Sequence, residues 1–89
     1  MDFKNNEAIH NFELYTEGHR SFIDYKRKGD NVYLLHTEVP PALRGKGIAN
    51  ILVEKTLNYL EENHLKLVPL CTFVQAYLKR NPDWTRLLS

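Results

Sequence analysis

Apolar and polar positions alternate through the first third of the chain. In HNFELYTEG, Phe12, Leu14 and Thr16 fall on one face of an extended segment, Asn11, Glu13 and Tyr15 fall on the other, and Gly18 marks a turn. SFIDYKRKGDN sets Phe22 and Asp24 opposite Ile23 and Tyr25, then closes on Gly29-Asp30-Asn31. NVYLLHTEV is a third run rich in β-branched and aromatic residues. Turn signals about every ten residues predict an antiparallel meander. Pro40 and Pro41 stop its last strand, because neither can donate to a ladder.

From Ile48 the period changes to that of a helix. Ile48, Ile51, Leu52, Tyr59 and Leu60 recur at helical spacing, widened by Ala49, Val53 and Leu57, while Asn50, Glu54, Lys55, Asn58, Glu61 and Glu62 take the wet side. This helix is expected to end near Asn63-His64. KLVPL then reads as a short buried strand in which Pro69 forbids normal pairing at its position. Thr72-Phe73-Val74-Gln75 fits a capping box with Thr72 as the N-cap. The helix it opens turns Phe73, Val74, Tyr77 and Leu78 inward and stops before Pro82. The expected order is βββ-α-β-α, an α+β fold with a mainly antiparallel sheet flanked by two helices, in a single domain over residues 1–89.

Composition narrows the function classes. The chain has 89 residues, 43% of them hydrophobic and 26% charged, with a net charge of +1. These values suit a globular domain, and leave nucleic-acid or acidic-lipid attraction to a local patch. Lys26-Arg27-Lys28 is too short for such a footprint. Cys71 is the sole cysteine, which fits a reducing, cytoplasmic setting. The opening MDFKNNEAIHNFE lacks the apolar run of a secretion signal, and no stretch is apolar enough to span a bilayer. His10, His19 and His64 have no zinc-ligand spacing with Cys71, so no metal is expected.

The segment VPPALRGKGIAN is the chemical singularity of the chain. A glycine-rich turn opening a helix presents unpaired N–H groups and the positive end of the helix dipole, and Arg44 and Lys46 add full charges. The P-loop spacing is absent, and Asn50 stands where the dinucleotide fingerprint needs glycine or alanine. Arg44-x-x-Gly47-x-Ala49 instead matches at every defined position the R/Q-x-x-G-x-G/A loop of the GNAT superfamily of acyl-CoA-dependent N-acetyltransferases. HTEVPPALRGKGIANILVE followed by LVPLC-x-FVQAYLKRNPDW resembles the small stand-alone GNAT-like proteins, over residues 10–84.

That resemblance implies acetyl-CoA as co-substrate and an amine as acceptor. It places the pyrophosphate on Arg44, Gly45, Lys46, Gly47, Ile48 and Ala49. It lays the cofactor arm along Thr37 to Val39, where a backbone N–H near Val39 polarises the thioester carbonyl. His36 and Glu38 lie two apart on one strand face and are candidates for the base, against the alternative of ordinary strand residues. Tyr77 resembles the tyrosine that protonates the leaving thiolate, although Asn81-Pro82 replaces the usual glycine-phenylalanine pair after it. It also reads as a core tyrosine. Cys71, in a PLC segment typical of the small group, is either an acyl carrier beside a helix N-terminus or an inert buried thiol. Trp84 either closes over the cofactor groove or anchors the tail.

With only short turns at Gly18 and Gly29, the acceptor site is expected to be open, which suits a polypeptide amine. A non-catalytic acyl-CoA-binding module would keep the loop and need none of His36, Cys71 or Tyr77. A nucleic-acid phosphate site is the third reading of the basic loop.

Overall fold

The alternation in residues 10–38 is realised as three long antiparallel strands, preceded by one that the pattern did not announce. In the computed structural model, which describes Met1 to Ser89, β1 is Asp2–Asn6, β2 Asn11–Thr16, β3 His19–Lys28 and β4 Asn31–Glu38. Then follow α1 (Ile48–Glu62), β5 (Lys66–Pro69) and α2 (Thr72–Arg80), with short 3-10 helices at Pro41–Leu43 and Pro82–Leu87. The sheet runs β1-β2-β3-β4-β5 in space, antiparallel except for the parallel β4–β5 pair that α1 connects. β1 escaped the sequence reading because DFKNN carries one apolar side chain, Phe3. That residue pairs with Leu14 and stacks on Phe12 at 6.1 Å.

Phe12, Leu14, Ile23, Tyr25, Val32, Leu34 and Leu67 share one face of the sheet and are buried. Both helices pack there, α1 through Leu52, Val53, Leu57 and Leu60 and α2 through Val74, Tyr77 and Leu78. The opposite face has no helix over it. The shortest dimension, 20 Å, is that of one sheet under one helix layer about 10 Å across.

Two local expectations are corrected. Pro69 does pair, in parallel register with Leu34. The N–H that proline lacks belongs on the outer edge of an edge strand, while the Leu70 and Cys71 N–H groups on the β4 side both donate to the Leu34 carbonyl, at 3.0 and 2.9 Å. Thr72 is not the N-cap. Cys71 takes that position in an extended conformation with no side-chain cap, and Gln75 donates its amide to the Pro69 carbonyl at 2.9 Å instead of closing a capping box.

Candidate functional site

The helix-opening turn is built by two glycines in the left-handed region, Gly45 at φ +79° and Gly47 at φ +71°, the latter serving as the N-cap of α1. A side chain added at either would meet nothing within 4 Å, so backbone conformation and open space, not crowding, set the demand for glycine. The N–H groups from Gly45 through Asn50 donate to no backbone carbonyl, and no side chain caps the helix. A run of free donors at a helix N-terminus is an anion cradle.

A pocket of about 230 Å³ opens beside this run, lined by Val39, Leu43, Arg44, Gly45, Gly47, Ile48, Ala49, Asn50 and Phe73. Arg44 makes no ion pair. Lys46 turns away from the pocket to Glu17 at 3.3 Å, fastening the loop to the β2–β3 turn. Leu43, Asn50 and Phe73 are not among the sequence-predicted site residues. Asn50 was legible as the next free N–H of the helix, whereas Phe73 reaches the pocket only through the packing of α2 on α1.

The β4–β5 ladder ends at Leu34 and Pro69, so residues 35–38 of β4 continue without a partner on that side. The β3–β4 register shifts between Asp24 and Tyr25, leaving Leu35 as the extra residue of a bulge. Beyond it, His36 and Glu38 emerge on the uncovered sheet face opposite Asp24 and Phe22, and His36 Nε2 lies 2.8 Å from Glu38 Oε2. Thr37 points to the helix-covered face, where its Oγ1 is 3.3 Å from Cys71 Sγ. Cys71 is buried, 7% exposed.

Tyr77 is buried elsewhere, in the seam with α1 and the Pro82–Leu87 turn. Burial pushes its phenol above the ordinary range and the Glu54 charge adds to this, partly opposed by a hydrogen bond with Trp84 and by the Arg80 charge. Trp84 is half-buried against the core and stacked under Arg86 at 4.7 Å, the tail-anchor arrangement. The sequence-predicted residues therefore fall into four sets: the Arg44–Ala49 turn with Val39, the His36–Glu38 pair, the Thr37–Cys71 contact, and Tyr77 alone. No helix is long and apolar enough to cross a membrane.

Comparison with known proteins agrees with this geometry. Residues 11–87 match the family described as GCN5-related N-acetyl-transferase. Protein NATD1 of Gallus gallus and of Mus musculus are each 41% identical over 64 residues, covering 71% of this chain and 58% of theirs. NATD1 of Homo sapiens is 41% identical over the same length, covering 57% of its own chain. The chain thus spans less than two thirds of the length of these relatives. The solution structure of a GCN5-like protein from Staphylococcus aureus superposes with a TM-score of 0.73 over 99% of this chain and 87% of that one, at 21% identity, a likeness of fold. The sheet, the glycine turn and the match across residues 11–87 converge on one assignment: the chain belongs to the GCN5-related N-acetyltransferase family.

Proposed function

We propose that the protein binds acetyl-coenzyme A and transfers its acetyl group to an amine. The observation that carries this reading is the run of free N–H groups from Gly45 to Asn50 at the lip of the pocket. A diphosphate fits that run in charge and in donor type, and the open space at Gly45 and Gly47 gives it room. Val39, Leu43 and Phe73 supply an apolar wall for the arm that follows it. The bound donor supplies an activated acetyl thioester; the chain supplies position and proton handling.

The edge of β4 beyond Leu34 lacks a partner strand, and the backbone N–H of Val39, the residue after that strand, is the candidate donor to the carbonyl of a thioester laid along it. His36, oriented by Glu38 and exposed, takes the proton of an incoming amine from the uncovered face. Tyr77, kept protonated at neutral pH by burial and the Glu54 charge, is the candidate proton source for the departing thiolate. Cys71, held by Thr37, stands on the other side of β4, where its thiol is the candidate acetyl carrier for a two-step route. The open sheet face suits a polypeptide amine.

One observation favours a second reading, a non-catalytic acyl-CoA-binding module: the pocket lining includes none of His36, Glu38, Cys71 or Tyr77. Thermal unfolding with millimolar acetyl-CoA and release of free coenzyme A in the presence of lysine peptides separate the two. An enzyme shows both stabilisation and release. Loss of release in His36→Ala with stabilisation retained assigns the base, and loss in Cys71→Ala with an acetyl adduct on the wild-type thiol assigns the two-step route. Stabilisation without release in the wild type supports the module, and no stabilisation overturns both readings.

A further inference from the structure

The arginines of this chain differ in what holds them. Arg20 and Arg86 each pair with a glutamate at 2.7 Å, Glu13 and Glu61 respectively, and Arg27 donates to the Gly29 carbonyl. Arg80 has no carboxylate within ion-pair distance. Its guanidinium donates to Asn50 Oδ1 at 3.3 Å, and Asn50 lines the pocket at the third residue of α1. The bond therefore brings a cation of α2 to the rim of the pocket without neutralising it.

The placement follows from helix periodicity. Phe73, Tyr77 and Arg80 are spaced four and three residues apart, which is one stripe of α2, and Asn50 and Glu54 are one turn apart on α1. The two stripes face each other: Phe73 shares the pocket with Asn50, the Glu54 charge acts on Tyr77, and Arg80 bonds Asn50. Apolar contact at one end of the α2 stripe and a charge at the other fit a ligand with an apolar part and an additional anion.

We propose that Arg80, oriented by Asn50, forms a second phosphate contact distinct from the N–H run, and that it receives the ribose 3′-phosphate of coenzyme A. This inference rests on the donor reading above. The N–H run and Arg44 match the charge of the diphosphate bridge. The phosphomonoester on the ribose is a further dianion and calls for a further cation. Lys46 is engaged by Glu17, whereas Arg80 keeps guanidinium N–H groups free for a forked contact.

The test is calorimetric titration of the full chain with coenzyme A and with 3′-dephospho-coenzyme A. Wild type is expected to bind coenzyme A about tenfold more tightly, the size of one charge-assisted contact at a partly wet rim. Arg80→Ala should bring the two affinities to within about twofold by weakening coenzyme A alone. Lys79→Ala, one residue away, should preserve the discrimination. Equal affinities in wild type overturn this inference and leave the donor reading standing. Binding of neither probe overturns the donor reading itself. Discrimination lost in Lys79→Ala and kept in Arg80→Ala overturns the assignment to Arg80.

Discussion

At the scale of single residues, conformation and ligand contact can be separated by comparing glycines. Gly47 and Gly18 both sit in the left-handed region, at φ +71° and +78°, and both have open space where a side chain would point. Alanine at either position brings a backbone penalty of about 1 to 2 kcal/mol. In a domain of this size each kilocalorie lowers Tm by about 4–8 °C. Of the two, only Gly47 lines the pocket and belongs to the N–H run assigned to the diphosphate. Gly47→Ala and Gly18→Ala are therefore expected to lose similar thermal stability, and only Gly47→Ala to lose coenzyme A binding as well. Equal retention of binding by both variants would sink the assignment of this turn.

At the scale of elements, the uncovered sheet face shows how charge is managed without a second layer. Glu13 is 1% exposed although no helix lies over it. Arg20 covers it, donating from Nε at 2.7 Å and stacking on Phe22 at 4.3 Å, while Asn6 donates at 3.2 Å. Arg20 also donates to Asn11, which in turn donates to Asp24 at 2.6 Å. Burial alone would raise the Glu13 pKa, but the hydrogen bonds from Arg20 and Asn6, with the charges of Arg20 and Lys4, hold it below its ordinary value of 4.5. A carboxylate with a depressed folded pKa stabilises the fold above its unfolded pKa and loses that contribution as pH falls through the folded pKa. Unfolding followed by urea should show stability declining below about pH 4.5 in wild type. Glu13→Gln should be less stable at neutral pH and flatter below that point, so the curves converge in acid. Parallel curves would show that this pair has no part in the acid limb.

The same elements show what the sequence could and could not disclose. β2 and β3 were legible because Phe12, Leu14, Ile23 and Tyr25 obey a period of two against a core on one side. The span of α1 followed from its apolar stripe, and Asn63 caps it where the pattern stops. β1 was hidden because an edge strand on a half-wet sheet needs few apolar residues. The capping box failed because a short motif at Thr72 competes with the path of the chain out of β5, which Leu34 fixes by accepting both Leu70 and Cys71. Within the site, the loop was readable since backbone donors and glycine conformation follow from local sequence. Phe73, the Arg80–Asn50 bond and the Thr37–Cys71 contact join residues distant in the chain, and only packing brings them together.

At the scale of the whole molecule, binding and folding share one element. α1 presents the free N–H groups at its first turn and buries Leu52, Val53, Leu57 and Leu60 against the single core under the sheet. With no second layer on the other face, a cavity in this core has no alternative packing to fall back on. Leu57, fully buried, should cost about 2–5 kcal/mol when cut to alanine, a large share of the roughly 5–15 kcal/mol that holds a domain of ordinary stability. A ligand that binds only the folded chain returns about 2.7 kcal/mol at a concentration one hundred times its Kd. Leu57→Ala is therefore expected to unfold well below the wild type and to recover much of that loss when coenzyme A is present in such excess. The recovery should vanish in a Leu57→Ala/Gly47→Ala double variant, because that chain has the same damaged core and an altered cradle. Recovery that persists in the double variant would place the ligand somewhere other than the first turn of α1.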